Sequence, residues 1–338
     1  MESCGPALSS LFLPPMNQLL KRRQHLLRLF NPVPTLLLAL TMVLPFCGAA
    51  QETNKLAGER SKFPCPENEI ARYTAHRVTG PITIDGRLDE PAWTNAPWSP
   101  RFHDILTGGR TLHDTRACVL WDDQNLYVAY RVEEPFVHAK FTNHNDLIWQ
   151  DNDVEFFIAG RDAYYEFEIN AFNTAYEVFF IWAEAYAAGG FANAPEFART
   201  NLVPFNGVDF KNHPRGQRLG NFKWSFPGMK TAVAIDGTVN NDHDRDHGWT
   251  VELAFPWKGL ESLAKSDHRA LPPKEGDVWR MDFSRFNTYK AASPAKDSGG
   301  WVWSKHGVWD SHIPECFPFI RFTTNILSTA NSGIRASP

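Results

Sequence analysis

After about residue 70, the chain consists of short runs in which apolar and polar positions alternate, separated by Gly, Pro, Asn and Asp. A period of two places every second side chain on the same face of a β-strand. The clearest run is 164–172, whose two sets of alternating side chains are Tyr165, Phe167 and Ile169 against Glu166, Glu168 and Asn170. This run predicts a strand with one core-facing side and one polar side.

Several of these runs lie next to each other with only turn residues between them, and such pairs predict β-hairpins. The predicted hairpins join 115–121 to 126–132, 154–158 to 164–172, and 229–239 to 249–255. Further strands are predicted at 81–85, 176–182, 278–287, 301–303 and 317–322. Short helical segments are expected at 88–93 and 256–263.

Many short strands with almost no long helical period predict an all-β fold. We expect an antiparallel β-sandwich of the immunoglobulin-like or jelly-roll type. Residues 185–228 lack a clear period and are rich in Gly, Pro, Asn and basic residues, so they predict a long loop insertion in this sandwich. The sequence contains neither a glycine-rich phosphate loop nor an alternation of strands and helices, which argues against a nucleotide-binding α/β domain.

Residues 1–50 predict a signal peptide, because basic residues around Lys21 precede a short apolar run at 35–46 and then small residues. The apolar run is too short to span a bilayer. Phe46 precedes Cys47 where a lipoprotein signal needs a small residue, so we expect no lipid anchor. The part before Lys21 is longer than such a signal needs, which suggests a later start of translation. The expected location is therefore secreted or periplasmic.

The rest of the chain divides by composition. Polar residues with two prolines at 51–70 predict a linker, 71–325 carries the strand pattern of the sandwich, and 326–338 is expected to be a flexible tail. Of the three cysteines after residue 50, Cys118 lies in a strand run and is expected to be a buried thiol. Cys65 and Cys316 could pair, and the sequence leaves this open.

Composition limits the classes of partner. The net charge is -4 and the mature region has no cluster of Lys and Arg, which argues against a nucleic-acid partner. The chain has 12 Trp and 25 Phe, a density that suits β-sheets and sugar-binding surfaces. Haem ligation is not expected, because Met229 and Met281 are the only methionines after residue 50 that could serve as axial ligands.

The segment from Trp149 to Glu155 combines an aromatic side chain with acidic ones. A flat indole can stack on a sugar ring, and carboxylates accept hydrogen bonds from hydroxyl groups. Asp151 and Asp153 could also supply oxygen ligands to calcium. The alternative interpretation is an acidic turn with a packing Trp.

A second aromatic segment contains Trp301 and Trp303 on one strand face, followed by Trp309 and Asp310. One of the first two could lie in the core and the other at a rim. The segment 82–93 predicts a strand, a turn and a helical turn that buries Trp93, and we expect it to have a structural role.

Four segments in this order resemble carbohydrate-binding module family 9, whose domains are DOMON-like β-sandwiches. They are 82–93, 119–129, 149–158, and Trp303-Ser304 together with 317–322. The resemblance extends from about Tyr73 to Phe322. It implies a β-sandwich that binds glucose- or xylose-type sugars between two Trp side chains, with calcium ions bracing loops.

Carried over by motif, the clamp residues are Trp149 and Trp303, with Glu155 beside Trp149 and with Glu168 and Asn170 on the next strand. Glu168 stands where the family resemblance implies an Arg. A hydrogen-bond donor is thus replaced by an acceptor at this position. The expected metal ligands are Asp151 and Asp153, for structural calcium.

The resemblance implies an exported protein that binds a polysaccharide or oligosaccharide in carbohydrate catabolism, with no catalytic residue assigned. Two alternatives remain open at this point. One is a sandwich that keeps the fold and has lost sugar binding. The other is a glycoside hydrolase that uses a pair among Glu155, Glu166 and Glu168, since such enzymes need two carboxyl groups at a defined separation. The sequence does not predict the oligomeric state.

Overall fold

The computed structural model describes residues 60–288 and 297–327. The predicted signal peptide, most of the linker and nearly all of the tail lie outside these residues. The strands are β1 Arg72–Arg77, β2 His103–Asp104, β3 Thr115–Trp121, β4 Asn125–Glu133, β5 Asp153–Ala159, β6 Ala163–Asn170, β7 Ala175–Trp182, β8 Val203–Phe205, β9 Arg218–Asn221, β10 Lys230–Asp236, β11 Gly248–Pro256, β12 Val278–Phe286, β13 Gly300–Val302 and β14 Phe319–Ile326.

Helices are few and short. Helix α1 spans Pro91–Asn95 and helix α2 spans Glu261–Asp267. Single 3₁₀ turns lie at Glu67–Glu69, Ile148–Gln150, Phe191–Asn193, Pro195–Phe197, Arg199–Asn201, Trp257–Leu260 and Pro314–Cys316. In the described ranges, no helix has both the length and the apolar character needed to cross a membrane.

The strands form one hydrogen-bonded series in the order β10-β11-β4-β3-β1-β14-β12-β5-β6-β7-β9-β8, with β13 joined to β12 and β2 joined to β13. Neighbours in this series run antiparallel, except that β1 runs parallel to both β14 and β3. Strands that are distant in the series pack face to face. The ring centroid of Phe255 on β11 lies 5.2 Å from that of Phe156 on β5, and Tyr130 on β4 lies 6.3 Å from Phe283 on β12. The expected all-β sandwich is confirmed.

The split between the two sides of β6 is also as predicted. Tyr165, Phe167 and Ile169 lie in the main core, between the layers. Glu166 and Glu168 point to the other side of the strand, where they are 4% and 2% exposed. The polar side of this strand is therefore covered by other parts of the chain, which the alternation alone did not indicate.

Residues 81–85 were expected to form a strand, but the structure has none there. Their hydrogen bonds go to a side chain instead, since the backbone N–H groups of Asp85 and Gly86 donate to the Glu252 carboxylate at 3.0 and 2.8 Å. The indole N–H of Trp93 in α1 donates to the same carboxylate at 2.6 Å. Gly86 has a φ of +86° and a Cβ there would lie 2.5 Å from the Val233 backbone, so this turn requires glycine. The segment has the structural role that its sequence indicated.

Two further features concern the edges of the sandwich. The insertion at 185–228 contains β8 and β9, which extend the sheet beyond β7. Cys65 and Cys316 form a disulfide with a Cα–Cα distance of 5.6 Å, whereas Cys118 is a free, buried thiol.

Candidate functional site

A cleft of about 500 Å³ lies against the polar side of β5, β6 and β7. This volume is within the range of small-molecule binding sites. Glu155 of β5 and Glu166 and Glu168 of β6 line it, together with the aromatic side chains of Tyr176 and Phe180 on β7. The cleft therefore joins a strongly acidic surface to an aromatic one.

The strand register explains why acidic side chains meet here. Glu155 lies directly opposite Glu168 in the β5–β6 ladder, and Ser284 of β12 lies opposite Glu155 on its other side. Side chains that are opposite each other on neighbouring antiparallel strands project from the same face. Glu166 precedes Glu168 by two residues and therefore shares that face. The alternating pattern of two strands thus creates one acidic patch.

Two tryptophans line the same cleft. Trp149, in the 3₁₀ turn after β4, is 53% exposed, an unusual exposure for an indole in this chain. Trp309 is half-buried, and its ring contacts Phe286 edge to face at a centroid distance of 5.0 Å. Both indoles are therefore available to a molecule in the cleft.

Trp303, the second predicted clamp residue, does not line this cleft. It is 5% exposed and packs in the main core, where its ring centroid lies 5.1 Å from that of Phe283 and 5.1 Å from that of Tyr73. Its backbone N–H donates to the Phe283 carbonyl, which continues the pairing beside β12 and directs its side chain inward. Trp301 shares that face and is fully buried. In this structure, Trp309 lines the cleft and Trp303 does not.

Asp151 and Asn170 are close together, but their polar atoms hold the loop that follows β4. The Asp151 carboxylate accepts hydrogen bonds from the backbone N–H groups of Lys140 and Phe141 at 2.8 and 3.2 Å and from the Asn170 amide at 3.1 Å. Asn170 is fully buried. Asp151 thus fixes the loop that carries Trp149, and Asn170 supports it from β6.

The carboxylates of Asp153, Glu155 and Glu168 converge, with one oxygen of each lying within 4.8 Å of the others. The Ser284 hydroxyl donates to Glu155 at 3.0 Å. Burial raises the pKa of Glu155 to about 8, and burial together with neighbouring carboxylates raises the pKa of Asp153 and Glu168 well above the usual range. Of the two predicted metal ligands, Asp153 therefore belongs to this group, and Asp151 lies outside it.

Sequence reasoning missed two histidines beside the cleft. The Nε2 atom of His312 lies 3.3 Å from Glu166, and burial lowers the pKa of His312 to about 3. The Nε2 atom of His306 lies 3.5 Å from Asp282. Burial lowers the pKa of His306, but the interactions with Asp282 and Asp310 together outweigh burial, so the net shift of this pKa is upward. The available signal was the run from His306 to His312, which holds two histidines, Trp309 and Asp310 in seven residues without a strand pattern.

The long insertion contributes to the cleft. Phe205, Val208 and Phe222 line it. The Asp310 carboxylate accepts hydrogen bonds from the backbone N–H groups of 208–210 at 2.8 to 3.0 Å, which ties the insertion to the residue after Trp309. The insertion therefore extends the site.

A second groove, of about 740 Å³, lies at the other end of the sheet near Trp98 and His247. It is larger but shallow, and the guanidinium of Arg131 covers the face of Trp98 at 4.1 Å. It lacks a group of converging buried polar side chains, so the smaller cleft is the better candidate site.

Comparisons with known proteins agree with the motifs. Residues 84–189 match a family model described as carbohydrate family 9 binding domain-like. That segment contains Trp149, Glu155 and Glu168 and ends before Trp309. None of the curated proteins matches this chain significantly.

Similar solved structures include a candidate carbohydrate-binding protein from Bacteroides uniformis ATCC 8492, with 14% identity, a TM-score of 0.49, and coverage of 75% of this chain and 99% of that one. A carbohydrate binding module of family 9 from Caldicellulosiruptor kristjanssonii is similar in its complex with glucose, with 15% identity, a TM-score of 0.42 and coverage of 75% and 96%. The same module in complex with cellotriose has 15% identity, a TM-score of 0.41 and coverage of 78% and 100%. The resemblance that the sequence motifs predicted is confirmed, over residues 84–189, as a match to the carbohydrate family 9 binding domains.

Proposed function

We propose that this chain binds carbohydrate in the cleft that Trp149 and Trp309 line. The observation that carries the proposal is the combination, in one cleft, of two accessible indoles with a floor of carboxyl groups. Sugars present apolar C–H faces to aromatic rings and hydroxyl groups to polar side chains, so a site with both kinds of surface suits them.

The floor can hold hydroxyl groups in two ways. A carboxylate accepts hydrogen bonds only, whereas a protonated carboxyl group also donates one. Burial raises the pKa of Glu155 to about 8, so this carboxyl group keeps its proton more readily than an exposed one. Glu168 replaces the donor that the family resemblance implies, so we expect it to change which hydroxyl groups are preferred. We propose glucose- or xylose-type units as the ligand class.

Isothermal titration of the mature protein with cello- and xylo-oligosaccharides tests this proposal. We expect weak, saturable binding that Trp149→Ala strongly weakens. Trp98→Ala is the control, because it removes a half-buried indole that lines the other groove. Absence of binding across a broad glycan array would refute the proposal.

The geometry favours binding over glycoside hydrolysis. Glu155 and Glu168 lie opposite each other on adjacent strands and face the cleft from the same side. A hydrolase places its two carboxyl groups on either side of the scissile bond. Turnover of a chromogenic glycoside that disappears in Glu168→Gln would overturn this preference.

A structural sandwich without a ligand is the remaining alternative. Its expected feature is a cleft filled by side chains, whereas this one keeps about 500 Å³ and an indole that is 53% exposed. Exposed apolar surface rimmed by polar residues is typical of ligand-binding grooves.

We further propose that the protein is exported to the periplasm or the medium and acts in carbohydrate catabolism. The Cys65–Cys316 disulfide supports export, because disulfides persist mainly in oxidising compartments. Fractionation of cells that express the full chain, with the N-terminus of the product sequenced, tests the location and the cleavage near residue 50.

A further inference from the structure

The group formed by Asp153, Glu155 and Glu168 has an arrangement that hydroxyl recognition alone does not require. Each of the three carboxylates is at least 95% buried. One oxygen of each lies within 4.8 Å of the other two. Two oxygens bound to one Ca²⁺ are at most about 5 Å apart, since Ca–O distances are about 2.3–2.6 Å. A single cation can therefore contact all three side chains.

Two of the oxygens in this group have no partner. Asp153 Oδ2 and Glu168 Oε2 are buried and accept no hydrogen bond from any residue in 60–288 or 297–327. Asp282, on the same face of β12, also has both carboxylate oxygens without a hydrogen bond in those ranges. Buried polar atoms normally have a partner, and a buried carboxylate without one is costly.

Positive side chains do not neutralise the group. Within the described residues, no Lys, Arg or His forms an ion pair with Asp153, Glu155 or Glu168. The buried cationic groups nearby are engaged with other acids. Arg285 pairs with Glu134 at 3.3 Å, and His306 lies against Asp282.

From this geometry we propose that Asp153, Glu155 and Glu168 bind a hard divalent cation, of which Ca²⁺ is the best fit, at the floor of the cleft. All three ligands are oxygens, which favour Ca²⁺, Mg²⁺ or Mn²⁺ over softer metals. The site is open toward the cleft, because Glu155 and Glu168 line it. Ca²⁺ takes six to eight oxygens, so water or ligand hydroxyl groups complete its coordination.

The cation also gives Glu168 a role. The family resemblance implies an Arg at the position of Glu168 in the sugar site. A cation bound partly by Glu168 would place positive charge at the same position. The coupling between cation and sugar rests on the proposed function, whereas the cation site itself does not.

Titration calorimetry of the mature, chelator-treated protein with CaCl₂ alone tests the site. We expect one equivalent to bind and the midpoint of thermal unfolding to rise. Glu168→Gln keeps the shape of the side chain and removes one ligand charge, so we expect affinity to fall by about 100-fold or more. The matched control is Glu166→Gln, which removes a buried carboxylate from the same strand and cleft, and we expect a loss of less than about tenfold.

Folding of the variants is checked separately. Replacing a buried carboxyl group that has an unpartnered oxygen by an amide of the same shape should not destabilise the fold, so metal-free Glu168→Gln should melt at or above the temperature of the metal-free wild type. The proposal is overturned if millimolar CaCl₂, MgCl₂ and MnCl₂ give neither heat nor a shift in melting. It is also overturned if Glu168→Gln binds Ca²⁺ as well as Glu166→Gln does.

A second titration separates this proposal from the first. Oligosaccharide binding is measured in CaCl₂ and in chelator. Sugar binding that weakens at least tenfold in chelator supports a cation at the sugar site. Equal sugar binding in both solutions refutes the coupling between cation and sugar and leaves the proposed carbohydrate binding intact. Ca²⁺ binding without any sugar binding refutes the proposed carbohydrate binding and leaves the cation site intact.

Discussion

Replacing three tryptophans by alanine, one at a time, tests which of them bind the ligand. The structure places Trp149 and Trp309 at the cleft, whereas the sequence predicted Trp149 and Trp303. Trp149 is 53% exposed, Trp309 is half-buried, and Trp303 is 5% exposed in the core. A fully buried aromatic side chain covers about 150–250 Å², so about half of that area, roughly 100 Å², remains free on Trp149 for a ligand. Covering that area at about 25 cal/mol per Å² contributes about 2.5 kcal/mol to binding.

That free energy corresponds to a loss of roughly 60-fold in affinity for Trp149→Ala, which is measured by titration with a cello-oligosaccharide. The same variant should change the free energy of unfolding by no more than about 1 kcal/mol, since an exposed side chain leaves little cavity behind. Trp303→Ala should instead destabilise the fold by about 3–5 kcal/mol in urea unfolding. At temperatures where it stays folded, its sugar affinity should remain close to that of the wild type.

Trp309→Ala should weaken binding with an intermediate loss of stability, because its ring also packs on Phe286. Trp98→Ala serves as the control for losing a half-buried indole outside the cleft. The cleft assignment fails if Trp303→Ala abolishes binding while leaving stability unchanged. It also fails if Trp149→Ala binds as tightly as Trp98→Ala.

Three other perturbations test separate parts of the structure. Replacing Cys65 and Cys316 together by Ser should lower the free energy of unfolding by about 2–5 kcal/mol, because the disulfide closes a loop of 251 residues; a urea transition unchanged from that of the oxidised wild type would contradict this. Burial raises the pKa of Glu252 from 4.5 to about 7, so Glu252 binds its proton more tightly in the folded state than in the unfolded state. The free energy of unfolding should therefore fall by up to about 3 kcal/mol as the pH rises from 4.5 to 7. The check is the difference in unfolding free energy between wild type and Glu252→Gln across that range, and a constant difference would exclude the effect. Asp310→Ala should lower the free energy of unfolding by about 2–4 kcal/mol and weaken oligosaccharide binding, because it removes the hydrogen bonds that hold the backbone of 208–210 at the cleft. Full affinity in this variant would show that the insertion does not shape the site.

The strands were predictable because their pattern is local. The alternation at 164–172 identifies which side chains of β6 face the core, and the turn residues between runs define the hairpins. The order of the strands and the pairing of β1 with β14 depend on contacts between distant residues, which a local pattern does not contain.

The site was predictable in part for the same reason. Trp149 and Glu155 lie in one motif, and the structure places both at the cleft. The sequence does not show which tryptophan of the 301–309 segment faces the cleft. The backbone of Trp303 pairs beside β12, and this pairing directs its ring into the core. The alternation places Glu166 and Glu168 on the polar side of a strand but does not predict that they are buried. Their burial depends on the 306–312 segment and the insertion, whose sequences have no clear period.

The parallel pairing of β1 with β14 has a consequence for how the fold forms during synthesis. β1 pairs with β14 from Arg72 to Arg77, and β14 ends at Ile326, near the end of the described chain. The central position of the sheet therefore stays open until β14 has been synthesised. Completion of the sheet is therefore a late event relative to the synthesis of β1.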